Sequence, residues 1–138
     1  MMRLFRSFKE SVLDYEVRTT QGFLYQMGSL ILNSSRKLFS LNPVQGLFVS
    51  YRRLEDCPNK PKTIIPLHDV YGIERLREKS WYQKKDAFYF EISHTKRQVL
   101  FCYTADHADS WVQALLRAKA FHEWLSLIKD VRYAETTP

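Results

Sequence analysis

The residues of this chain best suited to chemistry are cations set close together in short groups: Arg36-Lys37, Arg52-Arg53, Lys60 with Lys62, and Lys96-Arg97. Guanidinium and ammonium groups supply fixed positive charge and hydrogen-bond donors, so their natural counterparts are phosphates and carboxylates. Beside the first pair stands an aliphatic triplet, Leu30, Ile31 and Leu32, bracketed by the turn residues Gly28-Ser29 and Asn33-Ser34-Ser35. Large apolar side chains on a loop tip, next to positive charge, suit a surface that is anionic at its boundary and apolar beneath, as a bilayer is. The remaining reactive residue types form no constellation. His68, His94, His107 and His122 are scattered without metal-ligand spacing, and Cys57 and Cys102 match no zinc or redox pattern. There is no Gly-rich phosphate loop, no paired catalytic carboxylates and no Ser/His/Asp arrangement. The expectation is a non-catalytic binding chain without cofactor or metal.

Composition bounds the partners. The chain has 138 residues, 45% hydrophobic and 26% charged, which fits one folded domain able to bury a core without disulfides. Its 21 Lys and Arg against 15 Asp and Glu give a formal charge of +6, pointing to anionic partners such as lipid head groups or nucleic acid. No apolar run approaches the roughly 20 residues that span a bilayer. The two widely spaced cysteines fit a reduced, cytoplasmic setting.

The cations must be positioned by the elements around them. Residues 1–18 place Met1, Leu4, Phe5, Phe8, Val12 and Tyr15 at spacings of three and four, the stripe of an amphipathic helix. From Thr19 the period shortens. "GFLYQM" (22–27), "RKLFSL" (36–41), "GLFVSYR" (46–52), "KTIIPL" (62–67), "VYGIERL" (70–76), "AFYFEIS" (87–93) and "QVLFCYT" (98–104) are short runs rich in aromatic and β-branched residues. Such runs, separated by polar turns, predict an all-β sandwich or barrel. Alternation puts Phe88, Phe90 and Ile92 on one face of the sixth run and Tyr89, Glu91 and Ser93 on the other. The last element reads as a helix capped by Asp106 or Asp109 and running to about Ile128. Trp111, Leu115, Ala118, His122 and Leu125 fall on one side, with Leu116, Ala120 and Trp124 close by.

Seven strands followed by one helix with an early Trp resemble a pleckstrin homology (PH) domain. "GFLYQ" (22–26) is similar to the family's Gly-x-Leu-x-Lys first strand, "KLFSL" (37–41) to its second and "TIIPLHDV" (63–70) to its fourth. "VLFCYTADHADSWVQAL" (99–115) resembles the closing strand-to-helix junction, with Trp111 at the family's near-invariant position. The resemblance implies a mainly β fold, a bent seven-stranded sandwich or barrel capped by a C-terminal α-helix, with an extra N-terminal α-helix. It divides the chain into a helix at 1–18, a PH-like domain at 19–128 and a tail at 129–138. Trp111 is then structural, a large aromatic filling the hole where the helix closes one end of the sheet.

The resemblance also implies that the loops after strands one, three and six gather at the other end. Those segments carry Arg36, Lys37, Arg52, Arg53, Lys60, Lys62, Lys96 and Arg97 against Glu55 and Asp56, a net +6 that accounts for the whole excess charge. They are the expected head-group site, and Leu30, Ile31 and Leu32 the expected membrane-inserting tip. Members that grip phosphoinositide rings carry a Lys late in strand one and a Lys/Arg-x-Arg opening strand two. Here those positions read Gln26 and Ser35-Arg36-Lys37, so only Lys37 stands at a key charge and strand alternation turns Arg36 to the opposite face. What remains is a diffuse positive field worth roughly 1 kcal/mol per cation near an anionic bilayer.

Two functional readings follow. One is a peripheral membrane module that recognises anionic phospholipid, phosphatidic acid or a phosphoinositide, through a basic mouth and an apolar first loop. The other is a PH-fold interaction or scaffold module with a degenerate lipid site, meeting a protein partner or a second copy through residues 1–18. "SWYQKKD" (80–86) interleaves Trp81 and Tyr82 with lysines, but no recognition helix or RNA-binding strand motif accompanies it, so nucleic acid is the weaker match to the charge.

Overall fold

Alternation along the chain becomes alternation in space. In the computed structural model, which describes residues 19–28, 34–77 and 84–136, seven strands precede one long helix. They are β1 (Thr20–Met27), β2 (Ser34–Asn42), β3 (Leu47–Tyr51), β4 (Thr63–Pro66), β5 (Gly72–Leu76), β6 (Phe88–Ser93), β7 (Arg97–Cys102) and α1 (Ala105–Thr136). The amphipathic run 1–18, the Leu30-Ile31-Leu32 triplet, and Trp81 and Tyr82 lie outside the described residues.

The strands form one antiparallel sheet in the order β4-β3-β2-β1-β7-β6-β5. Its inner face carries Leu24, Phe39, Phe48, Ile65, Phe90, Ile92 and Leu100, all essentially buried, and α1 lays Ala108, Trp111, Val112, Leu115 and Ala118 onto them. In β6 the expected alternation holds, with Phe90 and Ile92 in this core and Phe88 packed against it. The opposite face is also partly buried. Tyr89 and Phe101 join Ala87 in a second cluster with Tyr25, Met27, Leu76 and Val99, the Tyr25 and Phe101 rings stacking at 5.2 Å.

Trp111 locks the helix to the sheet. Its ring lies 6.0 Å from that of Phe48, and its indole N–H donates to His107 Nε2 at 3.0 Å, one helical turn earlier. Gly22 is the strand position the ring lies against, since a Cβ there would sit 3.1 Å from Trp111 Cζ2. Gly46 closes the β2–β3 turn with φ +68, a left-handed backbone that only glycine adopts freely, and any side chain there would strike the His122 ring.

The helix expectations are corrected in three respects. Neither Asp106 nor Asp109 caps α1. Thr104 does, its Oγ1 accepting the His107 N–H at 3.2 Å, because the helix starts at Ala105 and leaves Asp106 inside the first turn. The expected stripe docks as read at Trp111, Leu115 and Ala118, with His122 and Leu125 partly buried, but its flank lies on the other side. Leu116, Ala120 and Trp124 are exposed, whereas Ala108, Val112 and Phe121 are buried. The helix also runs past Ile128 to Thr136.

Candidate anion-binding site

The sheet register decides which cations meet. Gln26 follows Leu24 on the inner face of β1, Lys37 precedes Phe39 on the inner face of β2, and Arg52 stands just past the end of β3, in the bend after Tyr51. Leu38 stands opposite Tyr51, which carries Arg52 to the level of Lys37. The Lys62 N–H donates to the Ser50 carbonyl at 2.7 Å, and the Ser50 and Thr63 hydroxyls are hydrogen-bonded, so the β3–β4 loop returns Lys62 to the same place. Three cations from three segments thus stand at the rim where the apolar core ends.

Their mutual proximity leaves an electrostatic mark. Burial, and then the neighbouring charges of Lys62 and Arg52, hold the Lys37 ammonium below the ordinary lysine range. Its Nζ donates to Gln26 Oε1 at 2.8 Å. Gln26, read from the sequence only as a missing charge, is therefore the group that aims Lys37. No single-position signal could have shown this, because the contact joins residues of two strands.

The other expected site residues are placed differently. Arg36 stands on the outer face, with its guanidinium carbon 4.1 Å above the Phe23 ring. Arg53 lies 3.8 Å from the Glu55 carboxylate and 3.6 Å from that of Asp56, so the acidic pair of the loop offsets it. Arg97 is paired with Glu91. Lys60 is exposed on the β3–β4 loop, its N–H donating to the Asp56 carbonyl at 2.7 Å. Lys96 is exposed in the β6–β7 turn, near enough to His94 to add to the burial that holds that imidazole below the ordinary histidine range. Because Gln26 pairs with Leu100, the Lys96-Arg97 turn lies at the same end of the sheet as the β1–β2 connection, but in the other half of the strand order from β3. Lys84 belongs to the outer aromatic cluster, its Nζ 3.3 Å from the Tyr103 hydroxyl and 5.6 Å from the Phe101 ring centre.

What the cluster can do is bind an anion. Three cations with one neutral amide supply donors and charge but no base, nucleophile or metal-ligand set. Among the described residues no group of His, Cys, Asp and Glu could hold a metal ion, and no helix is long and apolar enough to cross a membrane.

Comparison with known proteins agrees with the fold. The family model for the PH domain matches residues 18–120. The PH domain of human oxysterol binding protein-related protein 11 superposes with a TM-score of 0.61 at 16% identity, covering 77% of this chain and 84% of that one. The carboxyl-terminal PH domain of pleckstrin gives 0.58 at 20% identity, covering 72% and 94%. The same pleckstrin domain in complex with D-myo-Ins(1,2,3,4,5)P5 gives 0.56 at 19%, covering 72% and 95%. No curated protein matches the sequence.

Proposed function

This chain belongs to the PH domain family, generally non-catalytic modules that bind lipid or protein, and we propose that it is a lipid-binding member. In this reading it recognises anionic phospholipid through Lys37, Arg52 and Lys62, with Lys60, Lys96 and the remaining basic residues adding a diffuse field. The observation that carries the proposal is the crowding of like charges at Lys37, which Gln26 aims and which an anion would relieve. The pleckstrin domain captured with an inositol pentakisphosphate supports a phosphate ligand for this fold. Leu30, Ile31 and Leu32 join Met27 to Ser34, the paired residues at the end of the β1–β2 hairpin. From that anchor they dip into the bilayer beside the head groups, which adds apolar affinity that salt does not screen. The chain works in the cytoplasm at a membrane surface.

The test is cosedimentation with neutral liposomes doped separately with phosphatidic acid, phosphatidylserine and single phosphoinositides at physiological salt. Binding that follows one anionic lipid beyond its charge supports a head-group reader. Binding that follows charge alone, and weakens when Leu30, Ile31 and Leu32 become Ser or Asn, supports the wedge-and-field mechanism. Indifference to every anionic lipid overturns the reading and leaves the protein-interaction role of the family.

A further inference from the structure

α1 is longer than the sheet it packs on. Ala118 is the last of its described side chains to enter the sheet's core, yet the helix continues to Thr136, about 27 Å further at 1.5 Å per residue. A bare helical extension of this length is marginal in water, and packing of an apolar face is what stabilises it. The extension has such a face. Phe121, Leu125 and Ile128 follow one another at spacings of four and three, which sets them in one row. Phe121 is only 6% exposed, and Leu125 and Ile128 are partly buried, although none of the three belongs to either cluster of the sheet. The Phe121 ring lies 5.8 Å from that of Trp124, which is itself 41% exposed at the margin of the row.

The place where the chain enters the sheet points to what covers this row. Thr20 opens β1 opposite Leu41, and the turn after β2 lays Gly46 against the His122 ring. Residues 1–18 therefore join the sheet at the level of His122, where the row begins, and at the end away from the β1–β2 connection. Within them Met1, Phe5, Phe8, Val12 and Tyr15 repeat the same spacings of four and three. Coiled as a helix, residues 1–18 rise about 27 Å, the length of α1 beyond Ala118. A segment joined to its site by a short link also acts at an effective concentration on the order of millimolar. A second copy or a separate partner has no such advantage.

We propose that residues 1–18 fold back as a helix antiparallel to α1, with Phe5, Phe8 and Val12 closing over Phe121, Leu125 and Ile128. The antiparallel direction follows from the attachment, since the row runs from the level of His122 toward the C-terminus of α1. The run is then a brace of its own domain and not an arm for a partner, and it leaves the basic rim free.

The experiment places photoreactive p-benzoylphenylalanine at Phe8 of the full chain, with irradiation in dilute solution and peptide mapping of the product. Crosslinks within one chain to the α1 segment that carries Phe121, Leu125 and Ile128 are the expected result. Melting gives a second reading. Phe8→Ala and Phe121→Ala should each lower the melting temperature by about 5 °C. The two together should lower it little further, because each removes half of the same contact. Crosslinks that join two chains overturn the proposal in favour of a second copy. Crosslinks that miss α1, or melting shifts that simply add, overturn it as well.

Discussion

Replacing Lys37 by glutamate separates the function of the basic rim from its contribution to folding. Lys37 is held among Lys62 and Arg52, and its ammonium is already pushed below the lysine range by burial and by those two charges. A carboxylate in its place meets two cations instead of repelling them. Exposed ion pairs of this sort contribute about 0.2–1 kcal/mol each, and Gln26 can present its amide NH2 in place of its oxygen, so a hydrogen bond survives. The expected net stabilisation is about 1 kcal/mol, or about 4 °C in melting temperature for a domain of this size. Binding moves the other way. Removing one positive charge and adding a negative one withdraws about 2 kcal/mol from attraction to an anionic surface at about 1 kcal/mol per charge. That is about 30-fold in affinity. Differential scanning fluorimetry and liposome cosedimentation, run on the same preparation, measure both. A variant that melts lower than the natural chain, or that keeps its affinity within about threefold, refutes the argument that Lys37 sits in an anion-seeking cluster.

Three further outcomes follow from the packing. His94 is held below the ordinary histidine range, first by burial and then by Lys96, with Asp69 opposing. Its folded pKa lies below its unfolded one, so the unfolded chain takes up the proton first as pH falls through about 6.5. Stability should therefore decline on acidification, and urea midpoints from pH 7.5 to 5.5 should fall less steeply in His94→Asn. Gly22→Ala presses a methyl to 3.1 Å from a Trp111 ring that Phe48 and His107 hold in place, so it should cost about 1–3 kcal/mol, read as a lower urea midpoint. Thr104→Ala removes the hydroxyl that caps α1 and should cost about 0.5–2 kcal/mol, with Thr104→Asp recovering most of it.

What the sequence alone determined is whatever depends on near neighbours. Period-two alternation placed Phe90 and Ile92 inward from β6, and the same rule turned Arg36 away from Lys37, because successive side chains on a strand take opposite faces. An early Trp on an amphipathic helix marked the element that closes the sheet, since so large a ring must find a cavity. The phase of that helix was less legible. Apolar residues lie on more than one side of it, and only docking decides that Phe121 is buried and Trp124 exposed. The cap shows the same limit, because Thr104, Asp106 and Asp109 all suit the role until the first hydrogen-bonded turn is located. The site lay furthest beyond reading. Eight cations near one end look alike as a list, but charges act through distances that strand register sets across long stretches of chain. Tertiary structure put Arg52 and Lys62 beside Lys37, set Gln26 beneath its ammonium, and gave Arg97 to Glu91. It also put β5 at the end of the strand order, a property of the pairing and not of the strand's own residues.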